Sequence, residues 1–155
     1  MPRKKRIAFD LDDTLIPTSL NFPVEQQGWV ARFLGHESIR EGTIKLMRTL
    51  RKEGWDIGIY TTPFRRSTYI KWLFLLYGIR INYVINQHDH YKRVSCCGRA
   101  YQHCSKYPPK FHIDLLVDES EGVWIESQKY GFRIALVHPT ELGWGDVVLA
   151  NARSL

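Results

Sequence analysis

The sequence has few of the features that would cross-link a small protein or place it in a membrane. Its 155 residues include three cysteines, and two of these, Cys96 and Cys97, are adjacent. An odd number of cysteines with this spacing makes a poor disulfide framework and suits a reducing compartment. No segment approaches the roughly 20 apolar residues of a membrane span. We therefore expect a protein with no membrane partner.

We also expect no signal peptide. Residues 2–6 are basic, but a short apolar run and then an acidic segment follow them, instead of a long apolar core and a cleavage site. The expected localisation is therefore cytoplasmic. The net charge of +6 favours partners that carry phosphate, nucleic acid among them, although proteins that bind no polymer often have a similar excess.

The sequence shows no internal repeat and no low-complexity segment, so we expect one domain over residues 1–155. A chain of this length buries roughly two-thirds of the surface that its unfolded form exposes, so its folding requires neither a metal nor a disulfide. Within the domain we expect a basic arm at 1–5, an irregular loop at 87–111 and a short tail at 139–155.

Strand and helix patterns alternate along the chain. Apolar runs predict strands at 7–10, 55–60, 79–85, 113–117 and 132–137. Helical spacing and capping residues predict helices at 38–53, 62–77 and 121–130. Strands separated by helices of this length favour parallel pairing with right-handed crossovers. The predicted fold is therefore α/β, a three-layer Rossmann-like sandwich with a parallel central sheet of about five strands.

Three carboxylates follow the first predicted strand in the stretch RIAFDLDDTL, at Asp10, Asp12 and Asp13. Burying like charges is costly unless a positive charge lies among them. Other polar residues close to strand ends should reach the same edge of a parallel sheet, namely Thr61, Thr62, Lys110, Asp118 and Glu119. A set of carboxylates with no nearby histidine suits Mg²⁺, which keeps several waters and is completed by a substrate phosphate.

Four segments, in chain order, resemble the motifs of the haloacid dehalogenase superfamily. DLDDTL is similar to the first motif, IYTT to the second, Lys110 to the third and LLVDES to the fourth. The resemblance implies that Asp10 is a nucleophile and that Asp12 is the general acid and base of the phosphatase branch. It further implies that Thr61 holds phosphoryl oxygens and that Lys110 steadies the nucleophile.

The same resemblance implies a Mg²⁺ site and a substrate site. The implied metal residues are Asp10, Asp12, Asp118 and Glu119, with Asp12 contributing its backbone carbonyl. The substrate-binding residues are Leu11, Thr62, Arg65 and Arg66. The two arginines could reach a second phosphate, or could be ordinary exposed residues. Glu119 stands where the family usually has a second aspartate, so either Asp118 or Glu119 could be the direct ligand.

The predicted function is that of a magnesium-dependent phosphatase that hydrolyses a phosphate monoester through an aspartyl-phosphate. One alternative is a nucleotidase, or a phosphatase of nucleic acid or phosphoprotein. The other is a catalytically weak regulatory or binding module of the same fold. The intervals between motifs are too short for a folded cap domain, which predicts an open site that admits small or macromolecular substrates.

Loop 87–111 leaves two further interpretations open. Its histidines and cysteines could hold a structural zinc ion, or could belong to an ordinary polar loop, since their spacing matches no zinc-finger pattern. The loop is also a candidate for recognising a nucleotide or nucleic acid, by stacking on Tyr91, Tyr101 and Tyr107 and by phosphate contacts to Lys92, Arg93 and Arg99.

Overall fold

The computed structural model of the chain describes residues 3–155. Within them, five strands form one parallel sheet in the order β3-β2-β1-β4-β5. The strands are β1 Arg6–Phe9, β2 Asp56–Tyr60, β3 Tyr83–Ile85, β4 Leu115–Asp118 and β5 Ile134–Leu136. The helices are α1 Trp29–Phe33, α2 Thr43–Lys52, α3 Ser67–Leu76, α4 Gln87–Val94, α5 Glu121–Tyr130 and α6 Trp144–Arg153. The predicted α/β fold with five parallel strands is confirmed.

Helices cover both faces of the sheet, and alternate side chains of its strands point to opposite sides, into two separate cores. In β1, Ile7 and Phe9 join a core cluster with apolar residues of α2, α3 and α6. Ala8 points the other way and joins a second cluster, to which α4 and α5 contribute Val94 and Val123. These two cores produce the three layers of the fold.

The helix after β2 begins later than predicted. Thr62 does not cap it: Arg66, in an extended conformation, is the residue before α3. The preceding residues 61–66 form a loop, and Arg65 in this loop contacts Asp12 and Glu37. Likewise α2 begins at Thr43 rather than at residue 38, after Gly42 turns the chain with a φ of 89°.

Two segments are more ordered than predicted. The segment 87–111 is not an irregular loop, because it contains α4 and three short 3₁₀ helices. A capping box starts α4, in which Asn86 and Asp89 each accept a hydrogen bond from the other's backbone N–H. The tail contains α6, whose buried Trp144, Val148 and Ala152 recur at helical spacing.

The basic arm is tied to the domain where it is described. Arg3 donates a hydrogen bond to the backbone oxygen of His112 at 2.6 Å and pairs with Asp114 at 2.6 Å. Residues 1–2 of the predicted arm lie outside the described residues. Across residues 3–155 no helix combines the length and the apolar character that crossing a bilayer demands.

Gly58 in β2 provides a test of the sheet packing. A Cβ atom built on this residue would overlap the ring of Tyr83. That ring is fixed by a 2.8 Å hydrogen bond from its hydroxyl to the Ile7 carbonyl and by the Arg6 guanidinium, 3.8 Å from the ring centre. Gly58→Ala should therefore lower the free energy of unfolding by about 2 kcal/mol, the typical cost of overpacking a core.

Urea denaturation measures the effect, with Gly28→Ala as the control, since a Cβ there meets nothing within 4 Å at a φ of −60°. Replacing the ring with the smaller leucine side chain, in Gly58→Ala/Tyr83→Leu, should restore part of the lost free energy of unfolding. Equal stabilities for the two single variants would contradict this packing.

Candidate metal centre and active site

The three carboxylates after β1 have three different sets of partners. Asp10 pairs with Lys106, and Asp12 pairs with Arg65 at 2.6 Å. Asp13 has a φ of 59°, and its Oδ1 accepts hydrogen bonds from the backbone N–H groups of residues 18–20 at 2.8 to 3.0 Å. Burial opposes ionisation of Asp13, but these donors hold its pKa below the ordinary value. Asp13 therefore anchors the following turn, and the cluster begins with Asp10.

Lys106 is the central cation of the cluster. Its side chain is buried, with Nζ 2.5 Å from Asp10 Oδ1 and 2.6 Å from Asp118 Oδ2. Burial alone would lower the pKa of Lys106, but the two carboxylates outweigh it and raise the pKa above its ordinary value. One ammonium group therefore links the carboxyl ends of β1 and β4.

The prediction that Lys110 is the lysine of the site is corrected by this geometry. Lys110 is exposed in the 3₁₀ helix Pro108–Phe111, and Lys106 takes the position beside Asp10. The backbone N–H of Tyr107 donates to the Tyr60 hydroxyl at 3.0 Å, which fixes the chain next to Lys106. Sequence spacing alone does not separate the two lysines, because both precede β4 within a few residues.

Asp10, Asp118 and Glu119 form a group that could hold a metal ion. Each offers one carboxylate oxygen, and these oxygens lie within 4.8 Å of one another. Lys106 supplies one positive charge against three carboxylates. Burial, assisted by Asp118 and Glu119 and opposed by Lys106, raises the pKa of Asp10 to about 7. Burial also raises the pKa of Glu119. A bound cation would favour the ionised forms of Asp10 and Glu119.

Thr14, the threonine of DLDDTL, has no role assigned from sequence, but in the structure it belongs to the cluster. Its hydroxyl is buried, donates to Glu119 and lies 3.4 Å from Asp10 Oδ2. The backbone N–H of Ser120 donates to Asp118 Oδ1 at 2.9 Å. These donors engage the oxygens of Asp10 and Asp118 that Lys106 does not contact, and Thr14 also holds the Glu119 carboxylate within the group.

The Asp12 carboxylate lies outside the group of Asp10, Asp118 and Glu119 and belongs to a separate ion-pair network. Its Oδ1 accepts from Arg65, which also pairs with Glu37 at 2.6 Å, and Tyr69 donates to the same Glu37 oxygen at 2.8 Å. The second oxygen, Asp12 Oδ2, is buried and has no hydrogen-bond partner. Asp12 is thus held by one oxygen and has a free acceptor at the other. Arg65 contacts the candidate site through Asp12.

Thr61 is the residue that directly follows β2. Phe9 pairs with Ile59 in the sheet, so the residues after β1 and β2 emerge at the same edge. Thr61 is fully buried, and its hydroxyl has no hydrogen-bond partner. A buried hydroxyl without a hydrogen-bond partner costs free energy unless a ligand supplies the missing hydrogen bond.

The remaining predicted substrate residues differ in their placement. Leu11 is fully buried in the core, which leaves only its backbone available to a ligand. Thr62 and Arg66 are exposed, Thr62 beside a cavity that Thr61 also lines. Arg66 lies on a shallow surface depression with Trp72.

The histidines and cysteines of 87–111 do not gather into a metal site. Within residues 3–155, the acidic group at Asp10 is the one cluster of three or more potential ligands. Tyr101 and Tyr107 also differ from the predicted stacking platform, because they pack against each other and against Tyr130, with ring centres 4.7 to 6.3 Å apart. Arg93 lies over the ring of Phe111.

Comparison of the sequence with models of protein families gives no match, and a search among curated proteins gives no significant one. The fold and the site therefore define the class of protein: an α/β domain with a parallel five-stranded sheet and a buried acidic cluster, able to hold a metal ion, at the carboxyl ends of its central strands.

The two lysines allow a matched test of the cluster. Lys106→Met removes the ammonium and leaves Asp10 and Asp118 buried together, which should lower the free energy of unfolding by about 3 kcal/mol or more. Lys110→Met changes an exposed side chain and should alter it by less than about 0.5 kcal/mol. Urea denaturation at pH 7 without divalent cations measures both. Equal effects of the two substitutions would contradict the assignment of Lys106.

Proposed function

We propose that this protein is a magnesium-dependent phosphatase of the haloacid dehalogenase type, which hydrolyses a phosphate monoester through an aspartyl-phosphate. One observation carries the proposal: Asp10 lies buried at the end of the central strand β1, in contact with Lys106 and grouped with Asp118 and Glu119. This arrangement supports the proposal because it brings together a carboxylate that would act as the nucleophile, a fixed cation and a group that could hold a metal ion. The four-motif resemblance supports the same conclusion, with Lys106 in place of Lys110.

The residues present fit Mg²⁺. The ligand atoms are all oxygens, and Mg²⁺ prefers a few carboxylates with water and phosphate oxygen to complete its shell. Asp10, Asp118 and Glu119 would hold the ion, together with the backbone carbonyl of Asp12. When bound, Mg²⁺ supplies positive charge that screens the repulsion between Asp10 and a phosphate dianion.

The side chains divide the reaction into two steps. In the first, a carboxylate oxygen of Asp10 attacks phosphorus, the bond from phosphorus to the ester oxygen breaks, and protonated Asp12 gives its proton to the leaving oxygen. In the second, Asp12 accepts a proton from water as that water attacks the phosphorus of the aspartyl-phosphate. Asp10 is released as a carboxylate, together with inorganic phosphate.

Two other residues support these steps. Lys106 keeps Asp10 in place and offsets negative charge on the transferring group. The Thr61 hydroxyl, which has no partner within the protein, would donate to a phosphoryl oxygen. Lys106 thus acts by its charge and Thr61 by a positioned hydrogen bond. Positioning and electrostatic stabilisation are the main contributions of proteins to phosphoryl transfer.

The proposal is tested by phosphate release from a panel of monoesters that includes para-nitrophenyl phosphate, with Mg²⁺ and with chelator. Wild type should release phosphate only with Mg²⁺. Asp10→Asn should lose at least about 1,000-fold in kcat, because the amide keeps the shape but is not a nucleophile. Asp12→Asn should lose turnover and keep Mg²⁺ binding. The control is Asp146→Asn, a change at an exposed residue of α6, which should behave as wild type.

Substantial turnover by purified Asp10→Asn would contradict the covalent mechanism. Metal-independent turnover by wild type would contradict the role assigned to Asp10, Asp118 and Glu119. A loss of Mg²⁺ affinity in Asp12→Asn as large as its loss of turnover would contradict the acid–base role.

A comparison of variants at Arg65 and at its neighbour Arg66 distinguishes the positioning of Asp12 from a general effect of positive charge. Arg65→Met removes the partner of Asp12 Oδ1 and should lower kcat by about 10- to 100-fold, since small misplacements of a reacting group have effects of this size. Arg66→Met removes an exposed charge and should stay close to wild type. Steady-state kinetics on para-nitrophenyl phosphate measures both. An unchanged or higher kcat for Arg65→Met would show that the ion pair does not position Asp12 for catalysis.

A further inference from the structure

A cavity of about 230 Å³ lies beside Thr61, outside the acidic cluster. Its walls come from the end of β2, from α4 and from the segment that precedes Lys106. The residues used below are Thr61, Gln87, Tyr91, Gln102, His103 and Ser105. The cavity therefore opens between the candidate catalytic edge and the part of the chain that sequence alone described as an irregular loop.

The lining side chains offer several polar groups and carry no formal charge. They include amides, hydroxyls, imidazoles, a thiol and tyrosine rings, and no carboxylate, lysine or arginine. His90, in the wall, bonds through Nδ1 to the Tyr60 hydroxyl at 2.6 Å, and burial holds the pKa of this imidazole below its ordinary value. Such a lining favours neutral groups with several hydrogen-bonding atoms and disfavours an uncompensated charge.

Thr61 connects this cavity to the proposed phosphate position. It lines the cavity, and its buried hydroxyl has no partner within the protein. On the other side, Ser105 also lines the cavity and directly precedes Lys106, whose Nζ contacts Asp10. Thr61 and Ser105 therefore place the cavity next to the proposed phosphate position, on the side to which the rest of a substrate bound at Asp10 would extend.

The volume limits what that group can be. Pockets for drug-sized ligands span roughly 300 to 1,000 Å³, so this cavity suits one ring rather than a peptide or an oligonucleotide. Gln87 and Gln102 each offer both a donor and an acceptor, which matches hydroxyl groups that also donate and accept. Tyr91 adds an aromatic side chain, more than half exposed, at the same wall.

We propose that the cavity beside Thr61 binds the leaving group of the substrate and that this group is a sugar ring. The inference rests on the proposed phosphatase function, which it deepens by naming the substrate class. A sugar ring follows the phosphate in a free sugar monophosphate and in a nucleoside 5′-monophosphate alike. Phosphate esters of charged groups, such as phosphorylated carboxylic acids, are disfavoured because the lining provides no opposite charge.

The first test compares substrates. Wild type is assayed with ribose 5-phosphate, adenosine 5′-monophosphate, 3-phosphoglycerate and para-nitrophenyl phosphate. At least one of the two sugar-containing esters should exceed 3-phosphoglycerate in kcat/KM by about tenfold or more, the effect of one unpaired buried polar group. Preference for ribose 5-phosphate would identify a free sugar phosphate as the source of the ring, and preference for the nucleotide would identify a nucleotide. Preference for 3-phosphoglycerate would overturn the proposal.

The second test changes the cavity. Gln102→Leu removes one hydrogen-bonding side chain and should lower kcat/KM for the preferred sugar ester by about tenfold, a larger loss than for para-nitrophenyl phosphate. Gln26→Leu, at an exposed glutamine away from the cavity lining, is the control and should match wild type. Equal losses on the two esters in Gln102→Leu would overturn the proposal.

A binding measurement separates this inference from the proposed reaction. Calorimetry measures the affinity of ribose 5-phosphate and of adenosine 5′-monophosphate for Asp10→Asn and for Asp10→Asn/Gln102→Leu. The second variant should bind whichever of the two esters binds Asp10→Asn more tightly about tenfold more weakly. If wild type hydrolyses no ester but this difference is found, the reaction is wrong and the sugar site stands. If neither ester binds Asp10→Asn, or the two variants bind equally, the sugar site is wrong.

Discussion

The contact of Lys106 with both Asp10 and Asp118 is the interaction on which the rest of the site depends. It links β1 to β4 at their carboxyl ends, through a side chain that is itself buried. Two carboxylates at this depth would repel each other without it. Because Lys106 comes from the segment between α4 and β4, its position also depends on how that segment packs. The Tyr60 hydroxyl contributes by accepting the Tyr107 N–H and by contacting His90.

The single positive charge of Lys106 does not neutralise the three carboxylates of the cluster. Asp10, Asp118 and Glu119 have oxygens within 4.8 Å of one another, and Arg65 is engaged with Asp12 and Glu37 instead. Burial, with a further contribution from the charges of Asp118 and Glu119, outweighs Lys106 and raises the pKa of Asp10 to about 7. A divalent cation would relieve this repulsion, and a phosphate would then be attracted to a site that otherwise repels it. The proposed cofactor and the proposed reaction thus follow from the same imbalance.

Sequence patterns predicted the architecture because it rests on periodicity: Ile7 and Phe9 alternate with Ala8, and each strand is followed by a helix. They also predicted the grouping of Asp10, Asp118 and Glu119, since parallel strands end at one edge. Sequence patterns did not predict features whose position depends on contacts between distant parts of the chain. Lys106 is distinguished from Lys110 only by the packing of its segment against Tyr60, and α4 was overlooked because its residues are mostly polar, despite the cap at Asn86.

The central claim is that the acidic cluster takes up a divalent cation in addition to Lys106. Calorimetric titration of Mg²⁺ into metal-free protein at pH 7 tests it most directly, with Asp118→Asn and the exposed-site variant Asp146→Asn titrated in parallel. We predict one Mg²⁺ per chain in wild type and in Asp146→Asn, and at least about tenfold weaker binding in Asp118→Asn, because a ligand and a charge are lost. No binding to wild type, or equal affinity in Asp118→Asn, would contradict the account.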